Sequence, residues 1–243
     1  MEINNFKQIA KELKEEYVYK IKVCPSMLKK IKEFLKNTKW TAFNSTSLGG
    51  VHGNFDGKIK NGSFDIEGPD NQYQMKNAEE LFKCNEFMEI VENNDIKEIL
   101  TKYFGRKPIL NKKCIDIFYT KNLSKKNKQI KKHIWHIDNI GPQTENPKYN
   151  FIKLFIPLCN VTEENGCTRI IKSDLFINKE PLINFKNKRF SDNLIYKNYS
   201  KNLEIKMESI LGEIFLARTD SFHKGGYCKS GNRLMIIVQY EVF

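Results

Sequence analysis

The chain has 243 residues, of which 40% are hydrophobic and 12% aromatic, and this size and composition fit one globular domain over residues 1–243. It has no run of roughly 18 apolar residues and no secretory signal at its start, so we expect a cytoplasmic protein and exclude a membrane or secreted one. Six cysteines without a CxxC pair argue against a zinc ribbon, and the net charge of +12 leaves nucleic acid or an anionic small molecule open as a partner.

Residues 1–110 are predicted to be mostly helices and loops that decorate a β core. Apolar residues recur at helical spacing in Ser26–Leu35, where Ser26 would be the N-cap. The same spacing in Asp95–Phe104 predicts a second helix that ends at Gly105. Between these helices, Ser47–Asp70 is rich in Gly, Asn and Asp and is predicted to form loops and turns.

From about residue 108 the pattern changes to short β-type runs separated by turn signals. Several strands in succession without alternating helices indicate an antiparallel sandwich or barrel. We therefore predict a mainly β fold with flanking helices, a jelly roll whose core lies in residues 111–243. The predicted strands are Cys114–Thr120, Ile134–Ile137, Phe151–Leu158, Thr168–Ile171, Ile214–Ala217 and Leu234–Val242.

The most distinctive short motif is His136-Ile137-Asp138. Side chains two apart on a strand point to the same face, so His136 and Asp138 can bind one metal ion. A histidine from a distant strand would complete a set of two nitrogens and one carboxylate oxygen, which leaves three open positions on Fe(II). His223, after an apolar strand and a turn, is the candidate. A hydrogen-bonded strand pair and a surface turn histidine are the plain alternatives.

Arg233 follows His223 by ten residues and opens the last strand. A guanidinium there can enter the same end of the barrel, and its planar fork matches a carboxylate such as the distal one of 2-oxoglutarate. A salt bridge at the start of the strand is the plain alternative. Of the remaining histidines, His133 is expected to be structural or exposed. His52 is expected to lie in a plain turn, with a loop that closes over a substrate as the alternative.

The second half of the chain, about residues 114–243, resembles the phytanoyl-CoA dioxygenase family of Fe(II)/2-oxoglutarate oxygenases. The resemblance lies in an ordered set of elements rather than in any one of them. It departs from the family at Ile171-Lys172-Ser173-Asp174, where the family often has Pro-Gly-Ser-His. The elements are His136-Ile137-Asp138, Pro157-Leu158, Asn160-Val161, Asn165-Gly166, Gly212-Glu213, His223 and Arg233.

This resemblance implies a double-stranded β-helix in which His136, Asp138 and His223 bind iron and act in catalysis, and Arg233 binds 2-oxoglutarate. It also implies that dioxygen is consumed, that a small-molecule metabolite is hydroxylated, and that succinate and CO2 are released. Lys153, a charge inside the apolar run FIKLFIPL, is a further candidate for the cosubstrate site, because a buried lysine needs a partner. An outward-facing or edge position for Lys153 is equally open.

The positive charge of the chain has one local concentration. The segment Lys121–Lys132 carries six lysines without interleaved aromatics, so it is interpreted as a solvated loop, although it could also steer an anionic substrate.

Three other functions are alternatives to the oxygenase. A nucleic-acid demethylase of the same chemistry is suggested by the charge, but it is disfavoured because Gln239 stands where such enzymes carry a second arginine. The second function is a basic jelly-roll protein that binds a ligand without catalysis. The third is a metal enzyme that uses no cosubstrate, and Arg233 argues against it.

Overall fold

The computed structural model describes residues 3–38, 40–45, 51–60, 63–66, 72–75, 78–122, 134–138, 151–173 and 189–242. Within these ranges, none of the helices is long and apolar enough to cross a membrane. The described helices are α1 (Ile3–Glu16), α2 (Pro25–Asn37), α3 (Asn85–Val91), α4 (Asn94–Phe104) and α5 (Asp192–Asn198), with 3-10 helices at Ala78–Lys83 and Lys201–Leu203.

Within the described ranges, the major sheet has nine strands, and its strand pairs are antiparallel. The strands are β1 (Val18–Lys22), β2 (Thr41–Ser45), β3 (Val51–Lys60), β4 (Ser63–Ile66), β5 (Gln72–Met75), β6 (Ile109–Lys121), β8 (Phe151–Pro157), β12 (Glu213–Ala217) and β14 (Asn232–Glu241). Their order across the sheet is β1-β12-β8-β14-β6-β5-β2-β3-β4. Five of these strands lie within the first 110 residues, so the β core is not confined to residues 111–243 as predicted.

The minor sheet has five short antiparallel strands. They are β7 (Trp135–His136), β9 (Thr168–Ile171), β10 (Arg189–Phe190), β11 (Glu204–Met207) and β13 (His223–Lys224). Their order across the sheet is β10-β7-β13-β9-β11. Three of these strands have only two residues, so their positions depend on pairing with their neighbours.

Alternation along the long strands separates the two sides of the major sheet. On β8, Leu154 and Ile156 belong to the core that packs against the helices, whereas Phe155 belongs to a cluster shared with the minor sheet. On β14, Ile236 and Met235 divide in the same way. Because side chains alternate along a strand, one face of the major sheet packs against the helices and the other faces the minor sheet.

A third apolar cluster lies on the outer side of the minor sheet, against α5. It includes Trp135 and Ile137, which flank His136, together with Phe222, which precedes His223. Because these three apolar side chains point to the outer side of the minor sheet, the adjacent His136 and His223 point toward the major sheet.

Two predictions about the first half were wrong. Residues 47–70 are not all loops and turns, because β3 and β4 lie within them. Ser26 is not the N-cap of α2: the helix begins at Pro25, with Cys24 as its N-cap. Proline is favoured at the first helical position because its missing N–H would have no partner there. The second predicted helix is confirmed as α4, which ends at Gly105 with φ 75°.

Candidate metal centre

The two histidines of the predicted metal site lie opposite each other on neighbouring strands. His136 on β7 pairs in register with His223 on β13. Their ring centroids are 4.2 Å apart. His136 and His223 are almost ninety residues apart in the sequence, and the pairing of β7 with β13 brings them together.

Asp138 follows β7 and completes the group. Its backbone N–H donates to the carbonyl of Thr219, 3.1 Å away, which ties this residue to the segment before His223. The carboxylate oxygens lie 4.0 Å from Nε2 of His136 and 3.4 Å from Nε2 of His223. The candidate ligand atoms of the three residues all lie within 4.8 Å of one another.

Backbone carbonyls fix the orientation of both imidazole rings. Nδ1 of His136 lies 3.2 Å from the carbonyl oxygen of Ile134, and Nδ1 of His223 lies 3.0 Å from that of Ser221. With the proton on Nδ1 donated to the carbonyl, Nε2 of each ring carries a free lone pair. This is the arrangement that orients histidines as metal ligands.

The environment favours the protonation states that a metal requires. Burial lowers the pKa of His136 to about 3, with a contribution from nearby His223. Burial alone would raise the pKa of Asp138, but the adjacent His223 and Lys153 outweigh it and hold that pKa well below its usual value. A neutral imidazole and an ionised carboxylate are the forms that bind a divalent cation.

Lys153 lies in the same cavity, on the face of β8 that points toward the minor sheet. Its ammonium is 2.5 Å from Oδ2 of Asp138. The expected carboxylate partner is therefore present in the protein itself, and the predicted contact of Lys153 with a cosubstrate stays a prediction.

Arg233 is 3% exposed and lies at the start of β14, in the cavity that holds the histidines and Asp138. It donates to the carbonyl of Gly166 and, at 3.4 Å, to Oγ1 of Thr120. Nε of Arg233 is buried and has no partner among the described residues, and none of their carboxylates forms an ion pair with it. A buried cation held by neutral acceptors is able to bind an anion.

Gly166 explains the turn that holds Arg233. Its φ is +88°, and a Cβ atom built there would lie 2.5 Å from the carbonyl oxygen of Gly226. Only glycine allows this close approach of two backbones, so the Asn165-Gly166 turn is required where it stands.

The cavity has a volume of about 240 Å³ and is lined by both sheets. It contains polar residues that the sequence did not reveal. Asp116 accepts a hydrogen bond from Gln74, and burial raises the pKa of Asp116. Gln72 has a buried side-chain oxygen without a partner among the described residues, and Arg189 enters from the minor sheet.

Three features of the sequence lie wholly or partly outside the described residues. These are His133, the side chain of His52, and the basic segment after Lys121 and Asn122. Trp135 is fully buried in the cluster on the outer side of the minor sheet, away from the side that His136 faces.

We compared the chain with known protein families and with curated protein sequences. The sequence model of the family described as Phytanoyl-CoA dioxygenase (PhyH) matches residues 51–233, about three quarters of the chain. A search of curated protein sequences found no match.

Solved structures share the fold at low sequence identity. The epimerase SnoN, in complex with Fe3+, alpha ketoglutarate and nogalamycin RO, matches with a TM-score of 0.64 and 10% identity, over 99% of this chain and 84% of that chain. HygX from Streptomyces hygroscopicus, with nickel, 2-oxoglutarate and hygromycin B bound, matches with a TM-score of 0.58 and 9% identity, over 96% and 86%. The carbocyclase SnoK matches with a TM-score of 0.58 and 12% identity, over 97% and 83%. The predicted jelly roll with flanking helices is confirmed.

Proposed function

This chain belongs to the phytanoyl-CoA dioxygenase (PhyH) family, and we propose that it is an Fe(II)- and 2-oxoglutarate-dependent oxygenase that hydroxylates a small-molecule metabolite. One observation carries this proposal. His136, Asp138 and His223 converge within 4.8 Å at a cavity that also holds the buried Arg233, which has no carboxylate partner among the described residues.

The donor set fits Fe(II). Two imidazole nitrogens and one carboxylate oxygen form a facial triad, which leaves three positions for a cosubstrate and dioxygen. His136 and His223 would each ligate through Nε2, since Nδ1 faces a backbone carbonyl. Bound Fe(II), with 2-oxoglutarate and dioxygen, supplies the oxidation of a substrate C–H bond and releases succinate and CO2.

Arg233 would hold the distal carboxylate of 2-oxoglutarate. Its position at the start of β14 sets the direction in which the cosubstrate would extend from the metal ligands. The hydrogen bonds to Gly166 and Thr120 fix the guanidinium before any ligand arrives. A fixed guanidinium loses less side-chain freedom on binding than a mobile ammonium would.

Lys153 is proposed as a second contact of the cosubstrate. If Asp138 held the metal, the ammonium of Lys153 would share that carboxylate with the metal and would lack a full ion pair inside the cavity. A carboxylate of 2-oxoglutarate would then restore the balance of charge. Apolar side chains on the same wall, Phe118, Phe155 and Met235, keep water from the reacting groups.

The solved structures support this assignment, because SnoN was captured with Fe3+ and alpha ketoglutarate, and HygX with nickel and 2-oxoglutarate. The same complexes contain nogalamycin RO and hygromycin B, so a small-molecule substrate is the class we carry over to this chain. An anionic substrate is mildly favoured by the positive charge of the protein.

The test is anaerobic reconstitution with Fe(II) and 2-oxoglutarate, followed by oxygen and a succinate assay against a metabolite pool. We expect a charge-transfer absorption band before oxygen is added, and succinate afterwards. His223→Ala should abolish both signals, whereas Lys229→Gln, at an exposed ion pair with Glu164, should retain them. A protein that binds no stoichiometric Fe(II) and shows no such band would be a jelly-roll binding protein instead.

A further inference from the structure

We infer that Arg189 binds an anionic group of the substrate and that this substrate is a small carboxylic acid with an apolar body. The inference rests on the oxygenase function proposed above. It assigns a role to a residue outside the metal ligands and the cosubstrate anchor.

Arg189 stands beside the metal centre. It lies on β10, in register with His136 on β7, and its side chain lines the same cavity. Side chains at directly opposite positions of antiparallel strands are near neighbours. A group bound by Arg189 would therefore lie close to the metal ligand His136.

The guanidinium of Arg189 has no partner among the residues that the structure describes. It forms neither a hydrogen bond nor an ion pair with them, and Asp138 attracts it only from beyond ion-pair distance. Burial lowers the pKa of Arg189, and the attraction of Asp138 does not fully offset that effect. A partly buried guanidinium without a protein partner is available to bind an anionic ligand.

Two other arginines on or near the minor sheet do have carboxylate partners. Arg169 on β9 is ion-paired with Glu163 and Glu204. Arg218 is ion-paired with Asp220. Arg189 is the exception among these three, and it is the one that faces the cavity.

The metal and the cosubstrate leave Arg189 unmatched. Asp138 would serve the metal, and Arg233 reaches the cavity from the opposite sheet to serve the distal carboxylate of 2-oxoglutarate. Lys153 has Asp116 within electrostatic range as well as the cosubstrate.

The charges of the cavity also balance with one more anion. Among the described residues that line the cavity, the three cations Lys153, Arg189 and Arg233 outnumber the carboxylates of Asp116 and Asp138, so these side chains contribute a net charge of +1. Fe(II) and the dianion of 2-oxoglutarate cancel each other, and the excess remains. A substrate with one negative charge would neutralise the filled site.

The shape of the cavity selects among anions. Its described part has a volume of about 240 Å³, which lies below the roughly 300–1,000 Å³ of typical ligand cavities. Since 2-oxoglutarate would occupy part of this space, a small substrate is favoured. Phe118, Phe155 and Ile237 are among the residues that line the cavity, and they favour an apolar body. Since Arg189 neighbours His136, the carbon that is oxidised would lie only a few bonds from the acid group.

Anaerobic calorimetry on the protein loaded with Fe(II) and 2-oxoglutarate tests this inference. The probes are hexanoate and 3-phenylpropanoate, each paired with its primary amide, together with phenyl phosphate. We expect the acids to bind at least about tenfold more tightly than their amides, since hydrogen bonds between charged groups are strong. Arg189→Gln should abolish that difference, Arg189→Lys should keep part of it, and the control Arg169→Gln should keep all of it.

Four results would overturn the inference. The first is that no acid binds more tightly than its amide, and the second is that Arg189→Gln preserves the preference for acids. Another is tighter binding of phenyl phosphate than of both carboxylates. The last is that Arg189→Gln lowers the affinity for 2-oxoglutarate by more than about twofold, as measured by titration of the charge-transfer band. That result would make Arg189 a cosubstrate ligand. Absence of the band in the unaltered protein would refute the oxygenase function itself.

Discussion

Two cavities of this protein differ in size and in chemistry. The larger one, about 500 Å³, lies between β1, the start of α2 and the helices α3 and α4. The smaller one, about 240 Å³, lies between the two sheets. Yet the described part of the chain has its one possible metal-binding group, His136, Asp138 and His223, in the smaller cavity. Size alone would have selected the cavity that lacks this group.

The difference lies in which side chains converge. The wall of the larger cavity is formed largely by apolar side chains such as Ile21, Ile90 and Ile96, with charged groups, Lys22 and Asp95 among them, in its lining. In the smaller cavity, charged groups from both sheets face one another. A few convergent polar groups distinguish a reactive site from a gap between packed elements.

The largest effect is expected for Asp138→Ala. This change removes the only carboxylate of the proposed triad and leaves Lys153 without its partner. Succinate formation should fall by more than the roughly 10–100-fold that loss of an outer-shell partner costs. The matched control is Asp95→Ala at the larger cavity, which should leave activity unchanged. Equal losses in the two variants would remove the distinction between the cavities.

The next effect is expected for Arg233→Gln. Loss of a buried partner to a charged group costs about 2 kcal/mol or more, so the affinity for 2-oxoglutarate should fall by roughly 30-fold or more. Titration of the charge-transfer band measures this affinity. Lys22→Gln, which removes a cation from the larger cavity, should leave it unchanged. Unaltered affinity in Arg233→Gln would contradict the anchor role.

A smaller effect is expected for Lys153→Met. The ammonium would make a single contact with the cosubstrate, whereas the guanidinium of Arg233 can bind a carboxylate in a bidentate manner. The affinity for 2-oxoglutarate should therefore fall by only about tenfold. Lys20→Met, at the ion pair with Glu213 on the edge of the major sheet, is the control. If Lys153→Met binds 2-oxoglutarate as tightly as the unaltered protein, Lys153 serves Asp138 alone.

Filling the larger cavity should change stability but not catalysis. Ile21→Phe adds volume there, and cavity-filling substitutions commonly raise the free energy of unfolding by about 0.5–2 kcal/mol. Denaturant unfolding and the succinate assay measure the two quantities. A tenfold loss of activity in a stable Ile21→Phe protein would show that the larger cavity takes part in the reaction.

The smallest effect on activity is expected from alkylation of thiols. Cys24 is exposed at the larger cavity, and the hydrogen bond from Ser26 lowers its pKa, so its thiolate forms below the usual pH. Burial raises the pKa of Cys167 and of Cys228 to about 11, so these thiols stay protonated at pH 8. Iodoacetamide at pH 8, followed by peptide mapping, should label Cys24 first without loss of activity. Inactivation that tracks labelling of Cys24 would contradict this.

The sequence was a good guide where local pattern and structure agree. The strands β6, β7, β8, β9, β12 and β14 coincide with predicted apolar or β-branched runs. The order of His136, Asp138, His223 and Arg233 was enough to predict that they meet. The two-residue strand β13 was not predicted, and His223 was found through the apolar strand and the turn that precede it.

The remainder depended on pairing between distant segments. The strands β3 and β4 contain glycine, asparagine and aspartate, which weaken a local strand signal, and they form because neighbouring strands pair with them. Arg189 looks like one basic residue among many in the sequence. Only the two-residue pairing of β10 with β7 brings it to the cavity. The cytoplasmic location and the single domain stay predictions.

The central claim is that His136, Asp138 and His223 hold one iron ion. Crystals grown without oxygen in the presence of Fe(II) and 2-oxoglutarate, measured on both sides of the iron absorption edge, test it directly. We predict one anomalous peak per chain, in contact with Nε2 of both histidines and with the carboxylate of Asp138. A peak at other side chains, or none, would contradict the account.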